Sequence, residues 1–259
     1  MAEAPGIDVQ LQTDARGSVA TVTVDNQKKL NTLGSSLMRA FIAQVDALAG
    51  RDDLRALILT GAGERAFIGG ASIDEMAKMG RGGAEAFIRL VHGCCDCLRQ
   101  LPVPVIARID GYALGAGLEV AVSCDLRVAT TRSKFGMPEV KVGLPSVVEA
   151  ALIPGLIGWG RARELLYLGE TIDAETALRW GLVERVVEPD ALDAEVGKIV
   201  RAIKAAGPHA VRRQKRLMQE WEKLPTDQAI AAGIHALVRA FDTDEPGRLL
   251  SSFLNRKRG

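Results

Sequence analysis

Val103-Pro104-Val105-Ile106-Ala107-Arg108-Ile109-Asp110-Gly111-Tyr112-Ala113-Leu114-Gly115-Ala116-Gly117-Leu118-Glu119-Val120-Ala121-Val122-Ser123 passes from an apolar run, through a cluster of small residues, into a second apolar run. Val103 to Ile109 reads as a buried strand, with Pro102 and Pro104 at its start, where a missing N–H is tolerated. Leu118 to Ser123 reads as a short helix, and Gly111 to Gly117 turns the chain between them. Leu126 to Ala129 is the next strand. Strands alternating with helices predict α/β crossovers.

Working outward, Val9 to Gln12 and Val19 to Val24 alternate as a hairpin around Ala15-Arg16-Gly17. Ser35 to Leu48 places Leu37, Phe41, Val45 and Leu48 at helical spacing, with Gly50 as its stop. Ala56 to Thr60 is a short apolar run, Gly61 to Gly70 a glycine-rich loop, and Ala84 to Leu101 a helix. After about Gly143 strand signals become rare, Leu182 to Val187 excepted. Helical periods run over Arg161 to Leu168, Ala174 to Trp180, Ala191 to Ala205, Pro208 to Leu224 and Asp227 to Phe241. Asp242 to Gly247 is the most loop-like late segment. The chain reads as an α/β core followed by a helical tail, without a clear repeat or low-complexity linker.

At 259 residues the chain is long enough for one large domain, or one domain with an appendage. Lys and Arg number 33 against 32 Asp and Glu. That balance leaves no whole-chain footprint for nucleic acid. No run of about 18 apolar residues occurs, so no membrane span is expected. Met1 to Gln10 has no apolar core of a leader, and four cysteines make no disulfide framework. A cytoplasmic-type protein is expected. Only 4% of residues are aromatic, against 27 glycines. The core is therefore expected to be aliphatic, with many tight turns or close approaches.

Several familiar signatures are missing: P-loop, G-x-S-x-G elbow and H-E-x-x-H zinc helix. No metal is expected. His92, His209 and His235 are scattered without evident partners. Cys94 and Cys97 form a C-x-x-C inside a predicted helix, which suits packing better than redox chemistry. Gly61-Ala62-Gly63-Glu64-Arg65-Ala66 resembles a dinucleotide fingerprint but lacks the helix that should follow at once. The basic run Arg212, Arg213, Lys215, Arg216 reads as a solvated helix face or a phosphate-contacting patch.

Three segments fit together better. In Ala66-Phe67-Ile68-Gly69-Gly70-Ala71-Ser72-Ile73-Asp74-Glu75-Met76, Ser72 could cap a helix and Glu75 complete a capping box. In Gly111 to Glu119 a strand ends and a helix starts. Both segments offer free backbone N–H groups suited to an anion or a developing oxyanion. Lys134-Phe135-Gly136-Met137-Pro138-Glu139 brings a second acid after an extended stretch. Glu119, near the start of an apolar helix, is either a partner of the helix dipole or a pocket carboxylate.

Together, in order and in register, these segments resemble the crotonase superfamily of enoyl-CoA hydratases and isomerases, most of all a hydratase. Three further stretches extend the resemblance over nearly the whole chain: Asp25-Asn26-Gln27-Lys28-Lys29-Leu30-Asn31-Thr32-Leu33, Gly181-Leu182-Val183-Glu184-Arg185-Val186-Val187 and Ser252-Phe253-Leu254-Asn255-Arg256-Lys257-Arg258. The resemblance implies an α/β spiral of β-β-α units over residues 1–195 and a helical trimerisation region over 196–259. It also implies a homotrimer or dimer of trimers. The backbone N–H groups of Ala71 and Ala116 would form an oxyanion hole for the thioester carbonyl. Glu119 would activate water for attack at C3, and Glu139 would protonate C2. Coenzyme A, as part of the substrate and not a separate cofactor, would lie beside Lys28, Lys29, Leu30, Gly69 and Ile73. Phe253 and Arg256 would contribute from the tail of the same or a neighbouring subunit. Lys28 and Lys29 read equally well as loop solvation.

The pattern also departs from the family. After Glu139 the loop Val140 to Glu149 is one residue shorter than in typical hydratases and lacks their water-positioning glycine. Ser146 or Val147 stands nearest that place. Glu149 is either helix N-terminal charge or a further pocket acid. Ser72 stands where the family has Asp. The implied activity is hydration of 2-enoyl-CoA. Double-bond isomerisation or another acyl-CoA lyase or hydrolase reaction is the alternative, and a non-catalytic CoA- or RNA-binding protein the remaining one.

Overall fold

The computed structural model describes residues 5–256, the last by its backbone alone. β1 (Gly6–Asp14) and β2 (Gly17–Asp25) form the expected hairpin, antiparallel around Ala15-Arg16. From β2 onward the chain winds as a spiral. β3 (Leu54–Gly61), β5 (Val105–Ile109) and β7 (Leu126–Thr130) lie parallel in one sheet. β4 (Ala66–Ile68), β6 (Tyr112–Leu114) and β8 (Lys134–Gly136) lie parallel in a second. Each turn thus contributes one strand to each sheet. β9 (Thr171–Asp173) closes the smaller sheet, and β10 (Arg185–Val187) ends the larger, whose order is β1-β2-β3-β5-β7-β10.

Six helices fill the turns. They are α1 (Ser35–Ala49), α2 (Ile73–Met76), α3 (Arg81–Gln100), α4 (Ala116–Val122), α5 (Ile153–Leu168) and α6 (Ala174–Trp180). The core is aliphatic as expected: Leu37, Phe41, Val45 and Leu48 of α1 join Phe87, Val91 and Leu98 of α3 over one face of the larger sheet. Its other face is covered by α7 (Leu192–Ala205), where Leu192, Val196 and Ile199 meet Ile106 and Val128. The period-2 alternation of β5 is visible in this: Val105, Ala107 and Ile109 face one core, and Ile106 the other.

The helical tail consists of α8 (Pro208–Trp221), α9 (Thr226–Ala240) and α10 (Glu245–Arg256). The position 195/196 lies within α7, which covers the second face of the larger sheet.

Five local expectations need correction. Gly61 to Gly70 contains β4, and Gly111 to Gly117 contains β6. Glu245 opens a helix within the stretch read as a loop, capping α8 by accepting from the N–H groups of His209 (3.1 Å) and Ala210 (2.8 Å). α5 begins at Ile153, eight residues before the periodicity at Arg161 shows it, because Gly158 (φ +78°) kinks it. The basic run is not a solvated face throughout. Arg212 donates to the carbonyls of Arg51, Asp52 and Leu54, and Lys215, 6% exposed, to those of Leu98 and Val103. Lys215 also pairs with Asp125 at 2.8 Å. These heads clamp α8 to the core.

Candidate active site

The spiral brings the glycine-rich segments side by side. β4 pairs with β6 in parallel, Ile68 opposite Ala113, so the chain leaving β4 runs beside the chain leaving β6. Gly117 seals the contact: a Cβ there would lie 1.9 Å from the Ile68 carbonyl oxygen. Ala71 forms a parallel bridge with Leu33, in which Leu33 N–H donates to the Gly70 carbonyl and Ser72 N–H to the Leu33 carbonyl. In that pattern the N–H of the central residue points away from its partner. Ala116 opens α4, where a helix leaves its first N–H groups unused. Ser72 accepts from Glu75 N–H, as one half of a capping box would. The reciprocal half is not made. The Glu75 carboxylate instead accepts from the N–H and hydroxyl of Ser35, capping α1.

Both glutamates come to this place. Glu119 lies on α4, only 3% exposed. Glu139 lies on a 3₁₀ turn over Pro138–Val142. Its carboxylate rests against Gly115, whose φ of +51° and missing Cβ make the approach possible: a Cβ would fall 2.4 Å from Glu139 Oε1. Ser146 donates to Glu139 Oε2 at 2.9 Å. Burial, and then the Glu139 charge, push the Glu119 carboxyl up to about 8. The N–H groups of Ala150 and Val147 pull the other way, and Glu149 adds to the rise. The two positions read as nearest the missing glycine are thus both in use, Ser146 on Glu139 and Val147 on Glu119.

The Lys28–Leu30 turn packs on the same rim. Gln27–Lys29 forms a 3₁₀ turn ended by Leu30 and Asn31, both with positive φ. Asn31, 1% exposed, accepts from Asn26 N–H and donates to the carbonyls of Ala62 and Ala66, filling the would-be dinucleotide loop. Gly69 N–H donates to the Leu30 carbonyl at 2.8 Å. Lys29 pairs with Asp74 beside exposed Ile73, and Lys28 is exposed. So Lys28, Lys29, Leu30, Gly69 and Ile73 are assembled along one edge. Phe253 is half exposed on α10, a helix anchored at the start of α8. The Arg256 side chain, and Lys257 and Arg258, lie outside the described residues.

The pair that sequence reasoning missed is His92 with Glu149. His92 Nδ1 on α3 donates to Glu149 Oε1 at 2.7 Å, joining residues 57 positions apart. No local spacing signals such a contact. The four cysteines are buried, and burial raises every thiol, which removes the redox reading of Cys94 and Cys97. Among the described residues no helix is long and apolar enough to cross a membrane.

Residues 14–258 match a family model described as enoyl-CoA hydratase/isomerase. A short-chain-enoyl-CoA hydratase of Clostridium acetobutylicum is 34% identical over 246 residues, covering 95% of this chain and 94% of that protein. A crotonyl-CoA hydratase of Syntrophomonas wolfei is 33% identical over 241 residues, covering 93% of each. The crystal structure of an enoyl-CoA hydratase from Bacillus anthracis superimposes with a TM-score of 0.91 at 30% identity, covering 96% of both chains.

Proposed function

Because the chain belongs to the enoyl-CoA hydratase/isomerase family, we propose that it adds water across the C2–C3 double bond of a 2-enoyl-CoA thioester. The observation that carries this reading is the meeting of Glu119 and Glu139 beside the Gly115–Ala116 turn. The N–H groups of Ala71 and Ala116 receive the thioester oxygen as it becomes an enolate, each good donor contributing roughly 3–4 kcal/mol. Glu119 takes the proton of the attacking water, the hydroxyl joins C3, and Glu139 delivers a proton to C2. A carboxyl held near 8 can carry this traffic, since Glu119 binds and releases a proton close to neutral pH. The Lys28–Leu30 edge with Gly69 and Ile73 holds coenzyme A, and the thioester needs no separate cofactor.

Homologous hydratases act on short enoyl thioesters, as their names state, so crotonyl-CoA is the first substrate to try. Loss of conjugated enoyl-thioester absorbance follows the reaction. Glu119→Gln and Glu139→Gln are each expected to lower kcat by about 10²–10⁴-fold; normal turnover in both would sink the reading. The shortened loop after Glu139 keeps isomerisation as the second reading. Oxygen from labelled water at C3 marks a hydratase, whereas an isomerase forms no hydroxyacyl product.

α9 is a fifteen-residue helix with no buried residue in the protomer. Ile230, Ile234, Leu237 and Val238 along it, and Phe241 just past its end, are all more than half exposed. An apolar stripe of this kind marks an association surface. It supports the homotrimer or dimer of trimers that the family resemblance implies.

A further inference from the structure

Ten residues after Glu139 the chain buries a further carboxylate. Glu149 is 8% exposed; Oε1 accepts from His92, and among the described residues no donor reaches Oε2. An unpartnered buried acid oxygen is unfavourable and asks for a reason. The surrounding turn, Val148–Leu152, packs on both α3 and α4. Val148 holds a φ of +39°, a conformation β-branched residues rarely adopt. Val147, just before that turn, and Ala150, within it, present their N–H groups to Glu119. On its outer side a cavity of ≈ 280 Å³, lined by His92, Asp96, Arg99 and Lys223 among others, leads to solvent. The charged and titratable groups facing the acids are therefore few. They are His92, Cys95, Asp96 and Arg99 of α3, Glu139 from its 3₁₀ turn, and Lys223 after α8, with Arg99 already paired to Glu222.

We propose that Glu149, tied to His92, is a positioning residue for Glu119: it fixes the strained turn that packs against α4 beside Glu119. This rests on the reading of Glu119 as catalytic. Glu149 does not touch the reacting atoms. Its negative charge near Glu119 disfavours a second one, and the His92 hydrogen bond keeps it buried and oriented.

Difference infrared spectroscopy reads the stretch of protonated buried carboxyls, and Glu119→Gln identifies the Glu119 band. In Glu149→Gln the Glu119 midpoint is expected to move to lower pH by about half a unit to one unit. In Glu149→Asp, which keeps the charge, it stays near the wild-type position. An unmoved midpoint in folded Glu149→Gln overturns the proposal. Should that variant not fold, His92→Ala replaces a largely exposed side chain and frees the turn. Its kcat is expected to fall about tenfold to a hundredfold at unchanged KM, with a displaced Glu119 midpoint. Unchanged kcat and midpoint there overturn the proposal equally. If the wild-type protein hydrates no enoyl-CoA, the function reading fails on its own, while the infrared titration still decides the role of Glu149.

Discussion

Glu119 keeps its proton up to about 8 because it is buried and faces Glu139, and this has two consequences. The first is kinetic. A base must be ionised in the free protein, so kcat/KM for crotonyl-CoA is expected to rise with pH through that value. A fall through the same range would exchange the roles of the two glutamates. The second is thermodynamic. The folded-state value lies above the ordinary 4.5, so between 4.5 and about 8 the folded protein binds more protons than the unfolded chain. Stability is therefore fully supported below that window and declines as pH rises through it. Glu119→Gln removes the penalty. Its Tm, followed by circular dichroism, is expected to exceed the wild-type Tm at alkaline pH and to depend less on pH, even as activity is lost. Glu119 and Glu139 stood out in the sequence beside Gly115-Ala116-Gly117 and Pro138, and the family resemblance supplied the roles proposed for them. Whether Glu119 served a helix dipole or a pocket was not, because exposure of 3% is a property of the packed spiral.

At the scale of elements, α4 offers a clean test of the backbone donor. Ala116 occupies the first helical position, where proline is tolerated because its N–H is unused by the helix. Ala116→Pro is expected to fold normally and lose about 10²–10³-fold in kcat, whereas Ala116→Gly retains activity. α8 tests the clamp. Lys215→Met leaves the carbonyls of Leu98 and Val103 and the Asp125 carboxylate without their cation, and is expected to lower stability by about 1–3 kcal/mol, read as an earlier midpoint in urea. Long elements such as α1 and β5 were readable from periodicity. β4, β6 and β8 were not read as strands, because three residues cannot display a period of two. Their pairing is dictated by strands in other turns of the spiral. The basic run departed from a surface reading at two positions for a related reason: Arg212 and Lys215 find backbone carbonyls far away in sequence, while Arg216 stays exposed.

For the whole molecule, α9 leaves a stripe that one protomer does not cover. Light scattering is expected to give the mass of a trimer or its double. Ile234→Glu with Leu237→Glu is expected to yield monomers, since two charges on the covered stripe would be desolvated without partners. A wild-type monomer would remove the association reading and leave the site chemistry untouched.

The sequence by itself determined the aliphatic core, the alternation of strands and helices, and the small-residue turns carrying Ala71, Ala116, Glu119 and Glu139. These follow from local periodicity and from motifs in register along one chain. The tertiary structure alone decided which turns touch: Glu139 on Gly115, Val147 and Ala150 on Glu119, His92 on Glu149, and α7 over the sheet. In a spiral, each turn meets its neighbours through contacts tens of residues apart, and no local pattern encodes the side chain that arrives from the next turn.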